Sequence, residues 1–312
     1  MKKVRKAIIP VAGFGTRFLP ITKAIPKCML PIDGKPIIQY LVEEAVEAGI
    51  EEIIFVTTYN KRSVEDYFDR TFELEYLLES KSKSKELEMM RNIAEMAKFS
   101  FVRQPYPMGD GFAILQAESF VNDEPFAIIF EDEILIDKNG KGVLKDLVSS
   151  FEQTGITTTS LYEVPKSEVD KYGIATIKEL DNNLVQIFKF VEKPKIEEAE
   201  SNFAQCGRYI CTPDVMKFLR RIYLRDIGTE VVNMKTAYDE MGKGNEIRTS
   251  NAIAEMIKKN IPVYGFLFSG DRYDTGDKLG YIKAVINFGL KSNDGDKILD
   301  FINYTIKNKK PS

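Results

Sequence analysis

The chain has 312 residues, 44% of them hydrophobic, with 44 basic against 47 acidic side chains. That near balance gives no sign of a nucleic-acid footprint, so any anion binding has to come from local placement of charge. There is no histidine, which removes serine–histidine triads, histidine metal sites and imidazole acid–base catalysis.

Apolar runs of strand length alternate with helical patterns, which predicts an α/β fold. The first strand spans 6–11 and runs straight into Ala12-Gly13-Phe14-Gly15-Thr16-Arg17, with Lys27 ten residues after the arginine. Glycines let backbone N–H groups approach phosphate oxygens, and an arginine fork suits phosphate. A bare Gly-x-Gly is more often an ordinary strand-to-loop turn. The Gly-x-x-x-x-Gly-Lys-Ser/Thr loop is absent, and Phe18 stands where the dinucleotide fingerprint needs a third small residue. A helix is expected from Pro36 to Gly49, with Ile37, Ile38, Leu41, Val42 and Ala45 on one face. Further strands follow at 53–57, 99–102 and 126–130, and helices at 61–69 and 142–153. Lys81 to Glu86 reads as a solvated helix end. The segments 156–162, 174–177 and 185–191 are β-rich, with a turn at Asp181-Asn182-Asn183. Helices at 213–222 and 247–259, a strand at 263–268, and helices at 277–289 and 297–308 complete the chain. No linker or repeat appears, so the expectation is one domain over 1–312 with a helical extension from 290.

The cysteines, Cys28, Cys206 and Cys211, form no Cys-x-x-Cys pair, as in a reducing cytoplasm. Ala7 to Val11 is too short for a signal h-region, and nothing is long enough to span a membrane. Strand 126–130 runs into Glu131-Asp132-Glu133, a place where carboxylates of an open α/β sheet meet ligands. Strand alternation predicts that Asp132 faces the site alone, or that Glu131 and Glu133 do.

With Arg17 and Pro26-Lys27-Cys28-Met29-Leu30-Pro31 taken together, the chain resembles the sugar nucleotidylyltransferases, in their bacterial UTP–glucose-1-phosphate uridylyltransferase branch. The resemblance covers about residues 3–290. It recurs at Tyr67 to Glu75, Val191-Glu192-Lys193-Pro194-Lys195, Gly207-Arg208-Tyr209-Ile210 and Arg272 to Tyr281. It implies a Rossmann-like mixed central sheet flanked by helices, with a smaller antiparallel β excursion carrying the sugar site. It implies UTP and glucose 1-phosphate as substrates, magnesium on Asp132 and Asp274, and a homodimer or homotetramer without nucleic-acid or membrane partners. Catalytic roles fall on Arg17, Lys27, Asp132 and Lys193. Nucleotide contacts fall on Ala12, Gly13, Gly15, Thr16, Gln104 and Gly109. Sugar contacts fall on Gly173, Glu192, Lys193 and Gly207. A sugar phosphate is already largely dianionic near neutral pH, so the missing histidine is no obstacle.

Several positions depart from the family pattern. Cys28 stands for glutamate, Asp110 for leucine and Phe112 for histidine, while Glu131 stands where small or proline-like residues are typical. Glu246-Ile247-Arg248-Thr249-Ser250-Asn251-Ala252 replaces a pattern closer to Glu-Ile-Gln-Leu-Thr-Asp-Ala. Asp110 either faces the triphosphate and repels it or faces solvent. Glu131 either competes for the metal or points away. Three readings stay open: the uridylyltransferase, a relative using another sugar 1-phosphate or dTTP, and a weakly active paralogue that binds nucleotide sugars.

Overall fold

Strands and helices alternate along the chain as their apolar spacing predicts. The computed structural model describes residues 3–59, 61–181, 183–228 and 246–308; Met1, Lys2 and Asn182 therefore lie outside the described residues. The strands are β1 (Lys6–Pro10), β2 (Pro31–Ile32), β3 (Lys35–Pro36), β4 (Glu52–Thr57), β5 (Lys98–Arg103), β6 (Phe126–Ile129), β7 (Glu133–Asp137), β8 (Thr158–Glu163), β9 (Gly173–Asp181), β10 (Leu184–Glu192), β11 (Phe203–Cys211), β12 (Tyr264–Leu267) and β13 (Gly270–Asp274). The helices are α1 (Ile37–Glu47), α2 (Arg62–Phe68), α3 (Phe72–Ser80), α4 (Ser84–Glu95), α5 (Asp110–Gln116), α6 (Glu118–Val121), α7 (Leu144–Thr154), α8 (Asp214–Asp226), α9 (Thr249–Lys258), α10 (Lys278–Lys291) and α11 (Gly295–Lys307).

One nine-stranded sheet runs in the order β5-β4-β1-β6-β11-β8-β12-β10-β9. Its first four strands are mutually parallel, and β6 then meets β11 antiparallel. The chain leaves β1 toward β4 and returns on the other side as β6. That reversal opens a crevice beyond the strands' C-terminal ends, where open α/β sheets collect ligands. The expected antiparallel excursion is the β9–β10 hairpin at the end of the same sheet, where β9 pairs back onto β11.

The central strands β1, β4 and β6 are buried on both faces. One face packs on α1, α2 and α7 through Ile9, Ile53, Phe55 and Leu147. The other packs on α5, α8 and α9 through Ile8, Ile54, Leu219 and Ile253. The predicted apolar stripe of α1 is wholly buried. Pro36 precedes the helix, and Gly49 beyond it takes φ +87°, which lets the chain turn away.

Two features that shape the site were not visible in the pattern. Between Gln205 and Tyr209 the register of β11 against β8 slips, a bulge that releases Gly207 and Arg208 from that ladder. A separate ribbon pairs β13 with β7, setting Asp274 opposite Glu133.

Candidate active site

The loop after β1 is shaped by its glycines. Gly15 takes φ +62°, and a Cβ there would sit 3.0 Å from Thr22 Cγ2 and 3.3 Å from Lys27 Cβ. Thr22 Oγ1 donates to the Gly15 carbonyl at 2.8 Å, and Lys61 Nζ donates to that of Gly13 at 2.7 Å. Opposite stands the loop after β5. Gly109 takes φ +97°, and a Cβ there would lie 2.4 Å from the Ile247 carbonyl oxygen. Only glycine permits that approach. Gln104 Nε2 donates to the Gly109 carbonyl at 3.2 Å. Between the two loops lies a cavity of about 370 Å³ lined by Ala12, Gly13, Gly15, Lys27, Gln104, Gly109, Glu131 and Asp132, among others.

Asp132 also lines a second cavity of about 400 Å³, together with Arg17, Gly173, Glu192, Lys193, Gly207 and Asp274. On this side Gly173 pairs with Glu192 across the β9–β10 hairpin. A Cβ on Gly173 would meet the Phe190 ring at 2.3 Å. Lys193 follows at φ +48°, an uncommon conformation for a side-chain-bearing residue, and its N–H donates to the Tyr172 carbonyl at 3.0 Å. Gly207 donates its N–H to Glu133 Oε2 at 2.8 Å.

The acidic turn sits where the cavities meet. The alternation rule fails there, because β6 stops at Ile129 and β7 begins only at Glu133. Glu131 and Asp132 lie outside any strand, and all three carboxylates line a cavity. Each has its own job. Glu133 is tied to Gly207 and to Arg272, whose guanidinium lies 4.4 Å from the Tyr172 ring centre. Glu131 is buried, with Oε1 3.8 Å from Lys27 Nζ and Oε2 without a hydrogen-bond partner among the described residues. Asp132 is exposed. Burial pulls the Lys27 ammonium toward neutrality, but Glu131, Asp132 and Asp274 outweigh it and hold its pKa above the ordinary lysine value.

The β7–β13 register brings Asp274 beside Asp132. A Cβ on Gly276 would lie 2.9 Å from Asp274 Oδ1 and 3.6 Å from Asp132 Oδ2. The Gly276 N–H donates to Asp274 Oδ1 at 2.8 Å, and Arg17 Nη1 donates to the Gly276 carbonyl at 3.4 Å. Among the described residues no group of three or more His, Cys, Asp and Glu could hold a metal ion. Two convergent carboxylates that need oxygens from elsewhere suit magnesium held jointly with phosphate.

Of the residues given a catalytic, nucleotide, sugar or metal role from sequence, all but Thr16 line one of the two cavities. Thr16 opens a single 3₁₀ turn beside them. Arg272, Glu131 and Arg248 belong to the cavity walls and had no assigned role. Arg272 stood in a recognised motif, and the other two were visible only as departures.

The nucleotidyl transferase family profile matches residues 6–287. The chain belongs to the nucleotidyl transferase family. It is 43% identical over 303 residues to the UTP–glucose-1-phosphate uridylyltransferase of Staphylococcus haemolyticus, covering 97% of this chain and 98% of that one. A UDP-glucose pyrophosphorylase solved with UDP-glucose is 39% identical, with TM-score 0.78, over 93% of this chain and all of that one. The UTP-bound UGPase of Acinetobacter baumannii is 36% identical, with TM-score 0.83, over 98% of this chain and all of that one.

Within the family pattern the departures form contacts. Cys28 is buried against Glu131, and burial pushes its thiol well up. The carboxylate the pattern carries at 28 is thus supplied from 131, beside the same lysine. Asp110 is half-buried and lines both cavities, but its Oδ2 is engaged: it accepts from Thr249 N at 2.9 Å and Thr249 Oγ1 at 2.6 Å. Burial raises its carboxyl pKa, opposed by those two donors. Phe112 stacks on Tyr223 with ring centres 5.6 Å apart. Asn251 is exposed on α9.

Proposed function

We propose that the chain transfers the uridylyl group of UTP to glucose 1-phosphate, giving UDP-glucose and pyrophosphate. One observation carries this reading. Asp132 lies on the shared wall of two cavities, one walled by glycine loops and Gln104, the other by Glu192 and Lys193. A nucleotide in the first and a sugar phosphate in the second would meet at that carboxylate. The relatives support the same pair: one is a UTP–glucose-1-phosphate uridylyltransferase, and two solved structures hold UDP-glucose and UTP.

In this reading Gly13, Gly15 and Gly109 admit the nucleotide against backbone, and the Gln104 amide reads the uracil edge. Lys193 holds the phosphate of the sugar, whose oxygen attacks the α-phosphorus in line as the bond to pyrophosphate breaks. Lys27 and Arg17 offset the charge that gathers on the leaving group. Asp132 and Asp274 would hold magnesium, which when bound neutralises charge on the phosphates. No group has to remove a proton, consistent with a chain lacking histidine. Three free, buried cysteines support a reducing cytoplasm. No helix among the described residues is long and apolar enough to cross a membrane. Exposed Leu279, Ile282, Leu299 and Phe301 on α10 and α11 support a homodimer or homotetramer built on one domain with a C-terminal helical extension.

The test is pyrophosphate release from UTP or dTTP with glucose 1-phosphate or galactose 1-phosphate. Release that requires magnesium and is fastest with UTP and glucose 1-phosphate is expected. Silence with every pair, alongside measurable UDP-glucose binding, would transfer the chain to the nucleotide-sugar-binding reading.

A further inference from the structure

Arg248 occupies an unusual place in the second cavity. It stands in extended backbone (φ −116°, ψ 145°) just ahead of α9, so its neighbours point the other way: Ile247 and Thr249 are buried while Arg248 lines the cavity. That backbone is pinned twice. Gly111 N donates to the Ile247 carbonyl at 2.8 Å, and Ile247 N donates to that of Met108 at 3.0 Å. Asp110 then takes both donors of Thr249. The family pattern has leucine at 110 and at 249, so an apolar contact is replaced here by a hydrogen-bonded one at the same point.

The guanidinium is fixed by two carboxylates. Nε and Nη2 donate to Glu246 Oε2 at 3.1 and 2.8 Å, and Nη1 donates to Glu192 Oε1 at 3.3 Å. Asp110 adds a third nearby negative charge. The cation is therefore balanced and offers no free site for an acidic substituent. What it offers is geometry. The two-nitrogen grip on Glu246 fixes the guanidinium, which then holds Glu192 through one charge-assisted bond from Nη1 that a neutral amide would make more weakly. Glu192 Oε2 lies toward Gly173, 3.1 Å from where a Cβ on that residue would stand. Oε1 is left beside the unspent N–H groups of Arg248. An acceptor and a donor side by side suit one hydroxyl that donates to Glu192 and accepts from Arg248.

We propose that Arg248 is a specificity-determining residue of the sugar cavity, locking Glu192 so that the pair reads the orientation of one sugar hydroxyl. This rests on the uridylyltransferase reading above. Arg248→Gln, which restores the family residue, tests it with glucose 1-phosphate and galactose 1-phosphate in parallel. The expected result is a roughly tenfold rise in KM for glucose 1-phosphate. KM for UTP stays unchanged, kcat falls by less than KM rises, and the preference for glucose over galactose shrinks. Arg248→Lys, which keeps the charge and loses the fork, is expected to lie nearer the glutamine variant than the wild type. An unchanged KM and sugar preference in Arg248→Gln would overturn the proposal, as would an equal loss for both substrates together with a lowered melting temperature. If the wild type releases no pyrophosphate, the reaction reading has failed by itself. UDP-glucose titrations then decide: roughly tenfold weaker binding by Arg248→Gln supports the role of Arg248, and equal or undetectable binding in both chains ends it.

Discussion

Replacing Lys27 by methionine keeps most of the stem and removes the charge. The ammonium lies 3.8 Å from Glu131 Oε1, with side chains 10% and 11% exposed. At an effective dielectric near 20 that separation is worth about 4 kcal/mol of Coulomb attraction. Methionine relieves the buried ammonium but leaves the buried Glu131 carboxylate unpaired, so the expected loss of stability is about 3 kcal/mol. Turnover should suffer as well. A cation that meets the leaving pyrophosphate is worth about 3 kcal/mol at the transition state, or about 10²–10³ in kcat. Glu131→Gln added to Lys27→Met should recover the stability, since the buried carboxylate no longer lacks a partner, and none of the activity. Urea denaturation and steady-state kinetics on both variants check this. Because the folded pKa of Lys27 is raised, its charge contributes fully below the unfolded value and is lost only as pH climbs through the folded one. No activity limb from Lys27 is therefore expected between about pH 7 and 9. A single variant within tenfold of wild-type kcat, or a double variant that regains turnover, would refute the reasoning.

Asp132→Asn and Asp274→Asn should each raise the magnesium concentration for half-maximal rate and cut turnover about 100-fold or more, with melting temperature little changed; a magnesium titration reads both. Gly109→Ala should cost more than the ~1–2 kcal/mol of a left-handed alanine, because its Cβ would fall 2.4 Å from the Ile247 oxygen; urea midpoints and KM for UTP should move together. Acid unfolding should carry the mark of Glu75. Hydrogen bonds from Arg70, and then from Arg91, hold its carboxyl down at about 2. Its contribution is present above the unfolded value of about 4.3 and fades as pH falls through about 2. Glu75→Gln should flatten stability against pH over that window.

The parts of the fold legible in the sequence were those carried by burial. β1, β4 and β6 are continuous apolar runs, and the α1 stripe follows helical spacing, because each meets a packed layer. The sheet order was not legible, since pairing partners leave no periodic trace in a single chain. β7 and β13 were missed for a related reason: Glu133, Asp137, Asp271, Arg272 and Asp274 make these short strands look like charged loops. Their register is nevertheless what joins Asp132 to Asp274. The bulge in β11 was equally silent, although Gly207-Arg208 marked the place. The fate of Asp110 could not be read at all. Its partner Thr249 lies 139 residues away, and a carboxylate beside glycines gives no hint that it will cap another helix. Cys28 and Glu131 teach the same lesson, each odd alone and complementary together.

A site that brings two polyanions together needs cations at the substrates and also a frame that does not yield to their repulsion. Arg208 supplies part of that frame without touching either cavity. It is fully buried, and its Nη1 donates to the carbonyls of Phe130 at 3.3 Å and Gly207 at 3.1 Å, while Nη2 donates to that of Glu133 at 2.9 Å. Two of those carbonyls bracket Glu131 and Asp132, and the third belongs to the bulge that forms the floor of the second cavity. Glu44 on α1 balances the charge at 2.8 Å and also accepts from the Leu144 N–H at the start of α7. The acidic turn and the bulge of β11 are thus held by one buried ion pair anchored in two helices of the core. Removing either partner would leave an uncompensated buried charge, which makes the pair a rigid joint. Rigidity there keeps the carboxylates aligned with both cavities at once, and positioning is the chief contribution a protein can make to phosphoryl transfer.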